Sequence, residues 1–174
     1  MRSDLISLRV TGVAALALLV VTLLPATSHA QKLVLVVRHA ERADGGSMAT
    51  TAQTDPLLSP SGKARAERLA QMLGEAGITA VYTTEYKRTQ DTGQPLADLL
   101  KLTITTVTAK DTAGLVARIR KEQASGVVLV VGHSNTVPDI VKAFGGPTFT
   151  MDEDEFGDLF VVVPGTGVMT KVKY

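Results

Sequence analysis

The chain has 174 residues, with 18 Lys and Arg against 17 Asp and Glu, and it contains neither Cys nor Trp. That length suffices for one domain with its own core, and the balanced charge implies no polyanionic or membrane-surface partner. The missing cysteines exclude disulfides, a thiol nucleophile and Cys-type zinc sites, and the scarcity of aromatics argues against a base-stacking nucleic-acid surface.

Residues 1–30 read as separate from the fold. Arg2 and Arg9 give a positive start, and Val10 to Leu24 is uncharged and mostly Ala, Leu and Val. Pro25 breaks the run, and Ser28-His29-Ala30 supplies small residues around a signal-peptidase cut. The pattern predicts a secretory signal peptide cleaved between Ala30 and Gln31. The competing reading is an uncleaved anchor, but the run is shorter than the roughly 18 residues of a spanning helix. No Arg-Arg pair precedes it, which favours the general export route over the twin-arginine one. The expected mature protein is residues 31–174, a single domain, exported to a periplasmic or extracellular space and not inserted in the membrane. Packing alone must hold it together there.

Leu33 to Val37 is a run of five apolar residues, three of them valine, that stops at Arg38-His39. It predicts a short buried strand with a cation and an imidazole at its C-terminal tip. Arg42 to Pro56 has no apolar period and reads as a loop over the site. Ser59 is a candidate N-cap with Pro60 at the first helical position. The helix is expected to reach Gly74 or Gly77 with Ala66, Leu69, Ala70 and Leu73 inward.

Ile78 to Tyr82 predicts a second strand. Thr83 or Thr84 is expected to cap a helix carrying Tyr86, Arg88, Leu96, Leu99 and Leu100, which Pro95 should kink or split. Leu102 to Val107 is a third strand, and Asp111 or Thr112 caps a helix with Leu115, Val116 and Ile119 inward. Val127 to Val131 is a fourth strand, tipped by Gly132-His133-Ser134-Asn135. Pro138 to Phe144 reads as a short helix, and Asp152 to Glu155 as a solvated acidic loop. Leu159–Val163 and Val168–Val172 should close the sheet through a turn at 164–167. Strands alternating with helices predict a three-layer α/β/α sandwich with a mainly parallel central sheet.

Residues 31–174 contain two histidines, and each follows an apolar strand. In a parallel sheet such tips face one edge, where ligands bind. Arg88, near the start of the helix after the second strand, can face the same edge. Two guanidiniums and two imidazoles repel one another unless a multiply charged anion lies between them. Arginine forks match phosphate oxygens, so the cluster reads as a phosphoryl site. Histidine with one ring nitrogen fixed by a backbone partner can attack phosphorus through the other. The leaving oxygen then needs a proton from a nearby acid. No metal or cofactor is required by this arrangement, and no metal-ligand spacing is recognisable.

The motifs also resemble a known family. Arg38-His39-Ala40-Glu41 is similar to the Arg-His-Gly-Glu signature of the histidine phosphatase superfamily, phosphoglycerate mutase-like branch. Tyr82 to Thr92 resembles its second block, Gly132-His133-Ser134-Asn135 its third, and Leu58 to Ala66 the segment leading into its first helix. The resemblance implies a phosphoglycerate mutase-like fold, His39 as the phosphorylated nucleophile, and Arg38, Arg88 and His133 as phosphate ligands. Ser134, Asn135 and Glu41 are further candidates for substrate contact, although Ser134 and Asn135 are equally common helix-entry residues. The family's acid follows the helix holding the second arginine, and there this chain offers Asp111, which equally explains itself as a helix cap. Glu41 and Glu85 are rivals for that role.

The leading expectation is hydrolysis of a small-molecule phosphate ester through phosphohistidine. Mutase-type phosphotransfer, protein phosphohistidine dephosphorylation and a non-catalytic phosphate-binding module are the alternatives. The sequence specifies neither the ester nor the oligomeric state.

Overall fold

The computed structural model describes residues 33–45 and 55–174. The predicted signal segment and most of the loop after the first strand lie outside the described residues. In chain order the elements are β1 (Leu33–Arg38), α1 (Pro60–Leu73), β2 (Ile78–Thr84), α2 (Lys87–Leu100), β3 (Ile104–Val107), α3 (Thr112–Glu122), β4 (Val127–Gly132), α4 (Val137–Ala143), β5 (Asp158–Val163) and β6 (Val168–Lys173).

The apolar runs of β1 and β4 are buried on both faces, as a central parallel pair requires. They lie side by side, Leu33 opposite Val127 and Arg38 opposite Gly132. The full strand order is β3-β2-β4-β1-β5-β6. β2 runs parallel to both β3 and β4, whereas β5 and β6 are antiparallel additions beside β1. The α/β sandwich with its mainly parallel sheet is therefore the observed architecture.

Alternation along each strand divides the core into two layers. Val34 and Val36 point to one face, with Leu115, Val116 and Ile119 of α3 and Val137, Ile140 and Val141 of α4. Leu35 and Val37 point to the other, with Leu69, Ala70 and Leu73 of α1 and Leu96 and Ala97 of α2. Among the described residues no helix is long and apolar enough to cross a membrane.

Two helix starts bear on the site. Ser59 caps α1 as expected, its hydroxyl accepting from Gly62 N, with Pro60 at the first helical position. The start of α2 differs from expectation. β2 continues through Thr84, and Tyr86 occupies the cap position without a side-chain hydrogen bond. Pro95 lies inside α2, which continues through it as one helix. Burial of Leu96 and Ala97 against the sheet outweighs the missing amide.

Candidate active site

β1 and β4 end in register, so Arg38-His39 and Gly132-His133 emerge together. His39 N donates to Gly132 O at 2.9 Å, and Ala40 N donates to Thr92 Oγ1 of α2 at 3.0 Å. Ala40 is wholly buried and packs with Leu58 and Ala66. The segment after β1 is thus held from both sides before any ligand arrives. The two imidazole rings meet edge to face with centroids 5.3 Å apart. Arg38, His39 and His133 are only 4%, 3% and 7% exposed. With Arg88, Ser134 and Asn135 they line a cleft of about 420 Å³.

Hydrogen-bond partners decide the tautomers. His39 Nδ1 lies 2.8 Å from the Ala40 carbonyl, which can only accept, so Nδ1 carries the proton. Its Nε2 is left with a lone pair. For His133 the sense is reversed. Nδ1 faces Arg88 Nη2 at 3.4 Å, and a guanidinium can only donate. Nε2–H therefore donates to Thr84 Oγ1 at 3.0 Å. Thr84 passes its hydroxyl hydrogen to Thr89 Oγ1 at 2.9 Å, and Thr89 donates to the Tyr86 carbonyl at 2.7 Å. The threonine expected to cap α2 instead orients a site histidine.

Burial and the surrounding positive charge keep both imidazoles neutral. Desolvation pushes His39 down to about 3, and His133, Arg38 and Arg88 press in the same direction. His133 is also pushed down to about 3, by desolvation and then by Arg88 and Arg38. Desolvation lowers both arginines from their usual value as well. Arg38 and Arg88 each keep a buried Nε without a hydrogen-bond partner. Unmatched donors facing crowded positive charge constitute an anion seat.

Residues 34–112 match the family model of the histidine phosphatase superfamily, branch 1. The match takes in the segments that carry Arg38, His39 and Arg88, so over this stretch the chain is similar to that superfamily. Probable phosphoglycerate mutase GpmB of Yersinia enterocolitica is 34% identical over 73 residues, covering 42% of this chain and 34% of that protein. The chain thus spans about a third of that curated relative. The fold is shared with a mycobacterial glucosyl-3-phosphoglycerate phosphatase in complex with VO3, at a TM-score of 0.62 and 15% identity over 74% of this chain and 90% of the other. It is shared equally with the protein histidine phosphatase SixA complexed with tungstate, at a TM-score of 0.57 and 20% identity over 80% and 94%. At such identities the likeness is one of fold.

Within this cleft Arg38, His39, Arg88, His133, Ser134 and Asn135 come together. The three candidate acids do not. Asp111 is exposed at the head of α3, its Oδ1 accepting from Gly114 N at 2.9 Å, and it is not part of the cleft lining. Its capping bond explains the residue, and the expected catalytic placement is corrected. Glu85 Oε2 accepts from Ala109 N at 2.7 Å. Glu41 is gripped by Arg65, whose Nε lies 2.9 Å and Nη2 2.5 Å from its oxygens. That pairing holds its carboxyl below the usual range. Glu41 lines a neighbouring cavity and not the cleft that holds the two histidines.

Two aromatic residues packed against the cleft arginines carried no readable signal in the sequence. Phe156 lies 4.2 Å beneath the Arg38 guanidinium, and Tyr86 lies 4.2 Å from Arg88 while standing edge-on to His133. The Asp152–Glu155 loop is solvated as expected, but it also forms a wall of the site. Arg38 Nη1 donates to the carbonyls of Asp152 and Glu155 at 3.0 and 3.2 Å.

Proposed function

We propose that the protein is an exported phosphatase that hydrolyses phosphomonoesters through a covalent phosphohistidine on His39. One observation carries the reading: a neutral imidazole, its Nδ1 fixed by the Ala40 carbonyl, faces a second imidazole between two arginines with unmatched Nε donors. His39 Nε2 attacks phosphorus, and Arg38, Arg88 and His133 hold the equatorial oxygens as charge redistributes. Water then cleaves the phosphorus–nitrogen bond and releases phosphate. The uncharged run at 10–24 with its small-residue cut site supports export. The oxyanion-bound states named for two fold relatives agree with an anion seat of this kind.

Mutase-type phosphotransfer is the second reading, favoured by the name of the curated relative. One assay separates the two. Residues 31–174 with 4-nitrophenyl phosphate should release inorganic phosphate, and His39→Ala should abolish turnover while circular dichroism stays unchanged. Turnover retained in His39→Ala would overturn the phosphohistidine scheme. Isomerised phosphoesters without phosphate release, from a phosphoglycerate substrate, would favour the mutase.

A further inference from the structure

Hydrolysis of an ester by His39 leaves an oxygen that must gain a proton, and the three acids singled out by sequence are bonded elsewhere. Asp55, near the arginines, accepts from Lys87 N at 2.8 Å and pairs with Arg88. Among the described residues, Glu153 is the one carboxylate in the lining of the cleft that holds both histidines. Resting on the phosphohistidine reading, we propose that Glu153 is the catalytic acid, protonating the leaving oxygen and then taking the proton from the attacking water.

Its placement is built, although the side chain is 72% exposed. The turn that carries it is fastened to the cleft floor by Arg38 Nη1 through the carbonyls of residues 152 and 155. The turn closes on itself, Asp152 N donating to Glu155 Oε2 and Glu155 N to the Asp152 carbonyl. Ser134, the neighbour of His133, donates from its Oγ to Glu153 Oε1 at 3.0 Å. The other oxygen, Oε2, stands 3.6 Å from Arg38 Nη2. One carboxylate oxygen is therefore positioned and the other faces the anion seat.

Glu153 also borders a second cavity of about 550 Å³, lined by Ala43, Ser59, Ser61 and Phe156 among others. It shares Glu153 and Arg42 with the phosphate cleft. An ester with its phosphoryl group between the histidines and its alcohol half in this second cavity passes its bridging oxygen beside Glu153. Exposure lets the proton be replenished from solvent.

The steps balance. The Nε2 lone pair forms the bond to phosphorus as the phosphorus–oxygen bond breaks. The bond pair leaves with the oxygen, which receives the Glu153 proton to give the alcohol. Glu153 carboxylate next takes a proton from water as the water oxygen bonds phosphorus, and the phosphorus–nitrogen pair returns to Nε2. The sum is ester plus water giving alcohol plus phosphate, with the acid regenerated.

The test compares leaving groups in kcat/KM, which reports the step that forms phosphohistidine. Glu153→Gln should lower kcat/KM for an alkyl ester such as glycerol phosphate by about 10² to 10⁴, the range of a lost general acid. For 4-nitrophenyl phosphate, whose leaving group needs little protonation, the loss should be well under tenfold. Glu153→Asp should recover part of the alkyl rate. Asp111→Asn, which keeps a capping side chain, should leave both esters unchanged. Equal slowing of both esters by Glu153→Gln would overturn the assignment, as would a selective alkyl loss in Asp111→Asn. His39→Ala is read separately on both esters and should be inactive whichever way Glu153→Gln falls.

Discussion

Arg38, His39 and His133 on the cleft floor are almost wholly buried, whereas the Glu153 side chain that faces them from the wall is 72% exposed. The floor is an extension of β1 and β4, and its side chains cannot shift without moving the central pair of the sheet. The wall is a turn, held to that floor by two bonds from one guanidinium. Rigid, neutralised imidazoles and a solvent-accessible acid suit different chemical duties. A nucleophile benefits from fixed geometry, and a proton carrier from exchange with water. Arg38 belongs to both regions, as the proposed phosphate ligand and as the anchor of the wall.

That shared position makes Arg38→Ala the most damaging way to break the comparison. It should lower kcat/KM about a thousandfold, with Arg38→Lys recovering little, because one ammonium cannot serve two carbonyls and a phosphate. A milder loss in Arg38→Ala than in Arg88→Ala, by steady-state kinetics, would mean that the wall stands without its anchor.

Acid should affect the floor next. The unfolded histidines protonate near pH 6.5, while the folded ones resist down to about 3. The unfolded chain therefore binds more protons between those values, and stability present above pH 6.5 drains away as pH falls toward 3. Denaturant melts at pH 7 and pH 4 should differ by a few kcal/mol, less in His133→Asn than in the wild type. Tungstate should narrow the gap, because a bound anion favours the protonated rings.

Thr84→Val probes the floor more finely. It keeps the shape and removes the acceptor of His133 Nε2–H, so kcat/KM should drop about tenfold. Nitrogen NMR shifts of the His133 ring should report a changed tautomer, and Thr84→Ser should restore both readouts. On the wall side, Phe156→Leu removes the ring under Arg38 and should cost only about threefold. The smallest effect is expected from EDTA. Arginines and imidazoles supply the charge that phosphoryl transfer needs, so turnover should be unchanged in the chelator.

The two regions also differ in how far the chain betrays them. Five apolar residues ending in Arg38-His39, and five more ending in Gly132-His133, announce parallel strands whose tips must coincide. Ser59-Pro60 marks the α1 start in the same local manner. The roles of Thr84 and Asp111 were not separable by local pattern, since a hydroxyl or carboxylate before a helix reads as a cap in either case. Asp111 does cap, whereas Thr84 is diverted to His133 by a strand two residues longer than its apolar run suggests. Glu153 sits in four consecutive acids, where nothing in the order of residues singles out the one that turns inward. Only its contacts with Ser134 and Arg38, made in the folded chain, select it.

Gly62, in the first turn of α1, lies against the backbone of Glu41, and a Cβ there would collide with the Glu41 carbonyl and amide. Ser59 N donates to that same carbonyl at 2.9 Å. The start of the helix is thus a mould for the chain two residues beyond His39, with no clearance for even a methyl group. Gly62→Ala offers a handle on the reaction from outside the histidine cleft: a single carbon placed on α1 pushes against the imidazole's own main chain and detunes its aim.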